Sequence, residues 1–182
     1  MEDSFGLLLL KCLYLMLPAY FANMAPVWVR KINFLNYPID FDRKVRNNPI
    51  LGNHKTFRGL FFGVLLGIMV AFIQFLLYKN PAFAKISFFD YSSWFLIGFL
   101  MGFGALFGDA VKSFFKRRVG IRPGHRFIPF DQIDFVIGAF IFMAPFFTLT
   151  LKIFFISMLA SFVLDILATH LAFYLGIRHE KW

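Results

Sequence analysis

The sequence has almost no cysteine and little charge. Cys12 is the one cysteine among 182 residues, which excludes an intramolecular disulfide and a multi-cysteine metal site. The four histidines are scattered and lack the spacing of zinc ligands. Only 16% of the residues are charged, whereas soluble domains average about 25%. These absences argue against a disulfide framework, a zinc site and an ordinary soluble fold.

Acidic residues are scarcer than basic ones. Ten Asp and Glu stand against 19 Lys and Arg, a net charge of +9. Such an excess can indicate a nucleic-acid binder, but most of these charges lie between apolar runs. A positive surface between membrane spans would meet anionic head groups and nucleotide phosphates. We therefore predict no nucleic-acid partner.

Apolar residues dominate the chain. They make up 59% of it, including 29 Phe, more than a soluble core of this size needs. The first apolar segment follows acidic Glu2 and Asp3 and lacks a cleavage site, so we predict a retained span rather than a signal peptide. The fold class predicted is an all-α integral membrane protein of one domain. It would have about five transmembrane helices, over residues 5–21, 57–78, 94–108, 132–150 and 153–176.

Lys and Arg are distributed unevenly between these spans. Residues 23–58 contain seven, residues 109–131 six and the C-terminus two, against three in the remaining loops. Cytoplasmic loops carry an excess of Lys and Arg. We therefore predict a multi-pass protein of the cell (plasma) membrane, with loops 23–56 and 109–131 and a polar site in the cytoplasm and the N-terminus outside.

Glycines recur at four-residue intervals in two of the spans. Such spacing lets membrane helices approach closely, so we predict tight helix contacts at these positions. The glycines are Gly59, Gly63, Gly67, Gly98, Gly102, Gly104 and Gly108.

The densest polar cluster begins where the third span ends. Its members fall at i, i+3, i+4, i+7 and i+8, which places them on one helix face. They are Asp109, Lys112, Ser113, Lys116 and Arg117. The alternatives are an i, i+3 salt bridge for Asp109 and a basic run facing lipid head groups for the cations.

Two further aspartates, Asp131 and Asp134, open the fourth span. Residues 120–129 contain Pro and Gly and are predicted to be a loop that brings the helix ends together. Magnesium prefers oxygen ligands, and three aspartates suit one or two such ions. The carboxylates can bind a metal cation, and the neighbouring basic residues can bind phosphates. Together, at a membrane surface, they predict phosphate chemistry on a lipid.

The first loop carries a second candidate cluster. Lys55, Thr56 and Arg58 directly precede the second span, and a helix N-terminus with nearby cations can bind phosphate. Anchoring at the membrane interface is the alternative. Asn23 is either a helix C-cap or a residue lining a polar cavity.

One acidic residue, Asp165, falls near the middle of the fifth span. A charge at that depth is costly, so we predict that it faces the bundle interior and is paired. The candidate partners are Lys11 and His170.

The polar run resembles a motif of CDP-archaeol synthases, a family related to phosphatidate cytidylyltransferases. The matching residues read Gly108-Asp109-Ala-Val-Lys112-Ser113-Phe-Phe-Lys116-Arg117 and Pro129-Phe-Asp131-Gln132-Ile-Asp134. Residues 23–26 and 52–59 are similar to the family's first-loop motifs. The lysine–aspartate pair and His-Gly-Gly loop of the phosphatidate enzymes are missing, which favours the archaeol type.

The resemblance implies a CTP- and Mg²⁺-dependent nucleotidyltransferase. It would convert 2,3-di-O-geranylgeranylglycerol 1-phosphate (unsaturated archaetidic acid) to CDP-archaeol and release pyrophosphate. The polar helix face and both later aspartates would be catalytic, with Asp109, Asp131 and Asp134 holding Mg²⁺. The implied CTP-binding residues are Lys55, Thr56, Arg58, Asn23 and Gln132.

Several alternatives stay open from the sequence. They are a phosphatidate cytidylyltransferase that makes CDP-diacylglycerol, a different lipid phosphotransferase, and a non-enzymatic membrane channel or scaffold. The resemblance is also compatible with a homodimer.

Overall fold

The computed structural model describes residues 3–45, 48–121, 125 and 127–174. Its helices are α1 (Phe5–Trp28), a 3₁₀ turn (Val29–Lys31), α2 (Phe57–Leu77), α3 (Pro81–Lys85), α4 (Trp94–Arg118), α5 (Phe130–Met143) and α6 (Leu151–Tyr174). Two short antiparallel strands, β1 (Lys44–Val45) and β2 (Asn48–Pro49), form a hairpin in the first loop. The predicted all-α architecture is confirmed.

Four of these helices, α1, α2, α4 and α6, are long and apolar enough to cross a membrane. Many of their large apolar side chains point outward, as Leu159 does with 63% of its surface exposed. The 14 residues of α5 extend only about 21 Å at ~1.5 Å per residue, less than the roughly 30 Å of a hydrocarbon core. The count of five spans therefore stays a prediction.

Helix α1 is longer than predicted, because it continues past residue 21 to Trp28 with Pro18 and Pro26 inside it. A proline within a helix removes one hydrogen-bond donor, which here frees the carbonyl of Tyr14. Gln74 of α2 replaces that donor, since its Nε2 donates to Tyr14 O over 2.6 Å. The side chain of a neighbouring helix thus stabilises an interrupted transmembrane helix.

The connection between α5 and α6 also differs from prediction. Helix α5 ends at Met143 rather than residue 150, because Pro145 cannot continue the backbone ladder and disfavours helix in the residue before it. Residues 144–150 form the connection. Lys152, which falls in the two-residue gap between the predicted spans 132–150 and 153–176, lies inside α6.

Glycines set the distances between α4 and its neighbours, as predicted. A Cβ on Gly67 of α2 would lie 2.9 Å from the carbonyl oxygen of Gly98, and one on Gly104 would lie 2.6 Å from that of Gly138 in α5. On the next turn, Gly108 lies against the backbone of Asp134. Because α4 and α5 touch backbone to backbone here, the polar residues that follow on both helices lie close together.

Helix α6 runs parallel to α1 in a fixed register. Cys12 contacts the carbonyl of Ile153 at 3.9 Å, and Tyr20 Oη forms a hydrogen bond of 2.7 Å with Ser161 Oγ eight residues further along both helices. The C-terminal halves of α1 and α6 therefore lie at the same end of the bundle.

Candidate active site

A polar cavity of about 550 Å³ opens at this end of the bundle. Its volume is in the range typical of small-molecule sites, roughly 300–1,000 Å³. The first loop, α4, α5 and α6 all contribute to it. The polar side chains in its lining are His54, Lys55, Asp109, Lys112, Ser113, Lys116, Arg117, His125, Asp131, Gln132, Asp165, Thr169 and His170.

Three carboxylates converge on one ammonium group in this cavity. Lys112 Nζ lies 3.0 Å from Asp109 Oδ1, 3.0 Å from Asp131 Oδ1 and 2.8 Å from Asp134 Oδ2. The i, i+3 salt bridge of Asp109 is therefore present, but it is one part of a cluster that joins α4 and α5. Three negative charges this close repel one another unless a cation lies among them.

Two further lysines extend the cluster. Lys55 of the first loop forms an ion pair with Asp109. Lys116 Nζ lies 3.0 Å from Asp131 Oδ1 and donates to the carbonyl of His125 over 2.5 Å. Lys55, from a loop far away in the sequence, thus joins the polar cluster of α4 and α5.

The first loop is held in place by Asp40, which the sequence analysis missed. The carboxylate of Asp40 is buried and accepts hydrogen bonds from Leu51 N at 2.8 Å and Gly52 N at 3.2 Å. Gly52 has φ +96°, a conformation that favours glycine. Ile39 N also donates to the carbonyl of Lys55 over 2.8 Å. No spacing pattern in the sequence could have revealed this support for Lys55.

Asp131 has a shifted acidity. Burial raises the pKa of this carboxyl, but Lys112, the backbone N–H of Phe127 and Lys116 lower it more, so the net pKa lies below the usual range. Phe127 N donates to Asp131 Oδ2 over 2.5 Å. Asp131 is therefore an anion at neutral pH.

Three other predicted residues also reach the cavity. Ser113 lies in its wall, and its Oγ donates to the carbonyl of Asp109 over 2.8 Å. Arg117 is buried, and its guanidinium donates to the carbonyl of Ile121. Gln132 Oε1 is buried without a hydrogen-bond partner among the described residues, so it can accept a hydrogen bond from a ligand.

Three predicted CTP-binding residues are not brought to this cavity. Thr56 is the N-cap of α2, accepting from Gly59 N at 3.2 Å, and lines a smaller neighbouring cavity of about 160 Å³. Arg58 donates to the carbonyl of Ile32 over 2.5 Å, which ties the first loop to α2. Asn23 lies inside α1, so its interpretation as a C-cap is wrong because the helix ends at Trp28.

The arginines that follow the polar run have other positions. Arg118 Nη2 donates to the carbonyl of Pro49 over 2.7 Å and Nη1 to that of Val45 over 3.1 Å. It therefore attaches the hairpin of the first loop to α4. Arg122 and Arg126 lie outside the described residues.

The prediction for Asp165 was wrong in two respects. Asp165 does not pair with Lys11, which forms its ion pair with Asp3 at 2.6 Å, and it is exposed rather than enclosed in the bundle. The other candidate partner, His170, lies in the same cavity lining as Asp165. The buried face of α6 consists of small residues, Ser157 and Ser161, so the helix packs by that face and leaves Asp165 in the cavity lining.

The three carboxylates are the candidate ligands for Mg²⁺. Within the described residues no group of three or more His, Cys, Asp or Glu side chains is arranged to hold a metal as it stands, since Lys112 Nζ lies where the carboxylates converge. Carboxylate oxygens are nevertheless the ligands that Mg²⁺ prefers. Asp134 Oδ1 is buried and has no hydrogen-bond partner in the described part of the chain. The residues therefore fit a bound cation.

An apolar groove of about 470 Å³ lies along α4 and α5 and reaches the polar cluster at Lys112 and Asp134. Its walls are apolar apart from these two residues, which lie between apolar residues along each helix. The walls include Phe107, Val111, Phe115, Ile133, Ile137 and Ile141. A molecule with an apolar chain and an anionic head group would match these apolar walls and the neighbouring Lys112.

Comparison with known proteins agrees with the geometry. The family model for CarS-like proteins, described as CDP-archaeol synthase, matches residues 5–182. The chain belongs to the CDP-archaeol synthase family. A CDP-archaeol synthase of Archaeoglobus fulgidus is 34% identical over 96% of this chain and 98% of its own length. One of Thermococcus gammatolerans is 42% identical over 73% of this chain and 72% of its own.

A solved structure is also similar to this chain. It is that of an intramembrane enzyme for archaeal membrane lipid biosynthesis, with a TM-score of 0.70 and 29% identity, and it covers 86% of this chain and 90% of its own. The CDP-archaeol synthase family inferred from residues 108–134 is thereby confirmed, and with it a multi-pass membrane enzyme. The matches decide against a channel or a scaffold.

Proposed function

We propose that this chain transfers the cytidylyl group of CTP to the phosphate of unsaturated archaetidic acid, giving CDP-archaeol and pyrophosphate in a Mg²⁺-dependent reaction. The observation that carries the proposal is a cavity in which lysines and carboxylates converge beside an apolar groove, with Lys112 in the lining of both. Membership of the CDP-archaeol synthase family supports the same product.

In the proposed reaction, an oxygen of the lipid phosphate attacks the α-phosphorus of CTP. A new P–O bond forms, the bond from the α-phosphorus to the bridging oxygen breaks, and pyrophosphate leaves with that electron pair. The attacking group is already an anion, so the site needs no strong general base. Positioning and charge neutralisation dominate in such transfers, and Lys55, Lys116 and Arg117 supply positive charge around the cavity.

Asp109, Asp131 and Asp134 would hold one or two Mg²⁺ ions. Such ions would neutralise charge on the phosphates when bound. Lys112 lies among the same three carboxylates, so this lysine keeps them together and stays within reach of a phosphate oxygen. Ser113 and Gln132 offer further hydrogen bonds from the cavity wall.

The groove along α4 and α5 is the proposed place for the lipid chains. Lys112 and Asp134 are the charged residues in its apolar lining, which would bring the lipid phosphate to the polar cluster while its chains stay in the bilayer. A phosphatidate substrate would use the same polar contacts, so the test below compares the two lipids.

We also propose that the site faces the cytoplasm and that the N-terminus lies outside. The cavity lies at the end of the bundle that carries Lys55, Lys116 and Arg117, and cytoplasmic segments are enriched in such residues. CTP is a cytoplasmic metabolite, so this orientation gives the site access to it.

The reaction can be tested with labelled nucleotide. The purified chain is incubated with Mg²⁺, either unsaturated archaetidic acid or phosphatidic acid, and CTP labelled at the α- or the γ-phosphate. We expect label from the α-phosphate in the archaeol lipid and label from the γ-phosphate in pyrophosphate. Lipid labelled from the γ-phosphate would show a kinase, and preferential labelling of phosphatidic acid would show the diacylglycerol enzyme.

The role of the carboxylates is tested with Asp131→Asn. Removing one preorganised electrostatic contact can cost about 10²–10³ in rate, so the variant should lose CDP-lipid formation and still purify as a folded protein. Asp90→Asn is the matched control, because Asp90 lies in the loop before α4 and its carboxylate bonds only with Ser92 in the described residues. Near-normal turnover by Asp131→Asn would refute the assignment.

A further inference from the structure

We infer that the wall of the cavity formed by α6 binds the nucleoside half of CTP, with Asp165 accepting a hydrogen bond from it. This inference rests on the proposed function, since it requires CTP in the cavity. It assigns the nucleotide specificity of the site to a helix that lies outside the motif in residues 108–134.

Helix α6 forms a different wall of the cavity from the helix that carries Lys112 and Lys116. In the described parts of the chain, α6 packs against α1 and α5 and has no contact with α4. The cavity is therefore bounded by Lys112 and Lys116 of α4 on one side and by α6 on another, with Asp165 and Thr169 in its lining.

The register of α6 fixes which of its residues reach the cavity. The hydrogen bond between Tyr20 and Ser161 holds α6 against α1. Asp165 follows one turn after Ser161 and Thr169 two turns after it, so both fall on the same face of the helix. This face meets the cavity beside Val27 at the end of α1.

Charge divides the cavity into two parts. The phosphates of CTP are drawn to the lysines, and a carboxylate on α6 repels them. Asp165 accepts hydrogen bonds and does not donate them when ionised. The donors on CTP are the ribose hydroxyls and the exocyclic amino group of cytosine, and carboxylates accept from both kinds of group in proteins.

A structural role does not account for Asp165. None of the ion pairs in the described part of the chain includes it. It lies in α6, a helix apolar enough to cross a membrane. Placing a charged residue in such a helix costs free energy, so it usually marks a functional position.

The variant Asp165→Asn tests the inference, because it keeps the shape and removes the charge. Kinetics are measured with CTP, 2′-deoxy-CTP and UTP, and CTP binding is measured without lipid. A hydrogen bond to a charged group contributes about tenfold or more to affinity, so the KM and Kd for CTP should rise about tenfold. The value of kcat should change little, as for a contact made equally before and during the reaction.

The nucleotide analogues identify the contact. If Asp165 accepts from the 2′-hydroxyl, the variant loses its preference for CTP over 2′-deoxy-CTP; if it accepts from the amino group, it loses its preference over UTP. Either result supports the inference. Unchanged KM, Kd and nucleotide preference, in a preparation where the parent chain is active and Asp90→Asn behaves like it, would overturn the inference and leave the proposed function intact.

Discussion

At the scale of single residues, Lys112 is the residue on which the arrangement of the site depends most. Its ammonium group is the shared partner of Asp109, Asp131 and Asp134. Sequence spacing predicted only the contact with Asp109, because the other two carboxylates come from a helix whose packing the sequence does not give. Lys112 is thus both part of the site and a condition for the site to stay assembled.

Replacing this lysine should make stability depend on magnesium. In Lys112→Met the three carboxylates lose their common partner, and removing one member of a buried ion pair typically costs about 3–5 kcal/mol. We expect a lower thermal unfolding midpoint in EDTA and recovery in millimolar Mg²⁺, measured in detergent. The exposed Lys79→Met is the control. If Mg²⁺ shifts the midpoints of the variant and the control equally, the three aspartates do not form a metal site.

At the scale of helices, the contact between α4 and α5 places the proposed catalytic groups. Gly138 and Gly104 touch through their backbones, and Asp134 lies one turn before Gly138 on the same face. A change of helix distance at the glycines would therefore move Asp134 away from Lys112.

The variant Gly138→Ala tests this coupling. The added methyl would collide with the carbonyl of Gly104, and such overpacking typically costs about 1–3 kcal/mol. We expect reduced stability and reduced CDP-lipid formation in the same preparation. Gly6→Ala is the matched control, because a Cβ there has nothing within 4 Å. Full activity and stability of Gly138→Ala would show that the helices separate without consequence for the site.

Particular residues show what the sequence could predict at this scale. A long apolar run predicted the bounds of α2 to within one residue. The i, i+3, i+4 pattern that starts at Asp109 predicted the polar face of α4. The two errors in helix ends lie near prolines: α1 continues through Pro26 instead of ending at residue 21, whereas α5 ends before Pro145 instead of continuing to residue 150. Asp40 and Asp165 were missed or misplaced because their surroundings come from loop folding and helix register, which leave no local spacing pattern.

At the scale of the whole molecule, the orientation in the membrane can be tested with single cysteines. The native Cys12 is buried, so it gives little background. We expect Asn53→Cys, near the cavity, to resist an impermeant maleimide added outside intact cells and to react after lysis. Lys79→Cys, in the loop after α2, should react from outside. The reverse labelling pattern would invert the proposed topology.

The side-chain amide of Gln74 has a consequence for how the chain enters the bilayer. Ribosomes release α1 before α2, and until α2 arrives the carbonyl of Tyr14 has no donor within the hydrocarbon. An unsatisfied backbone group costs several kcal/mol there. Helix α1 alone is therefore less stable in the membrane than it is beside α2. We expect the two helices to leave the insertion machinery together as a hairpin.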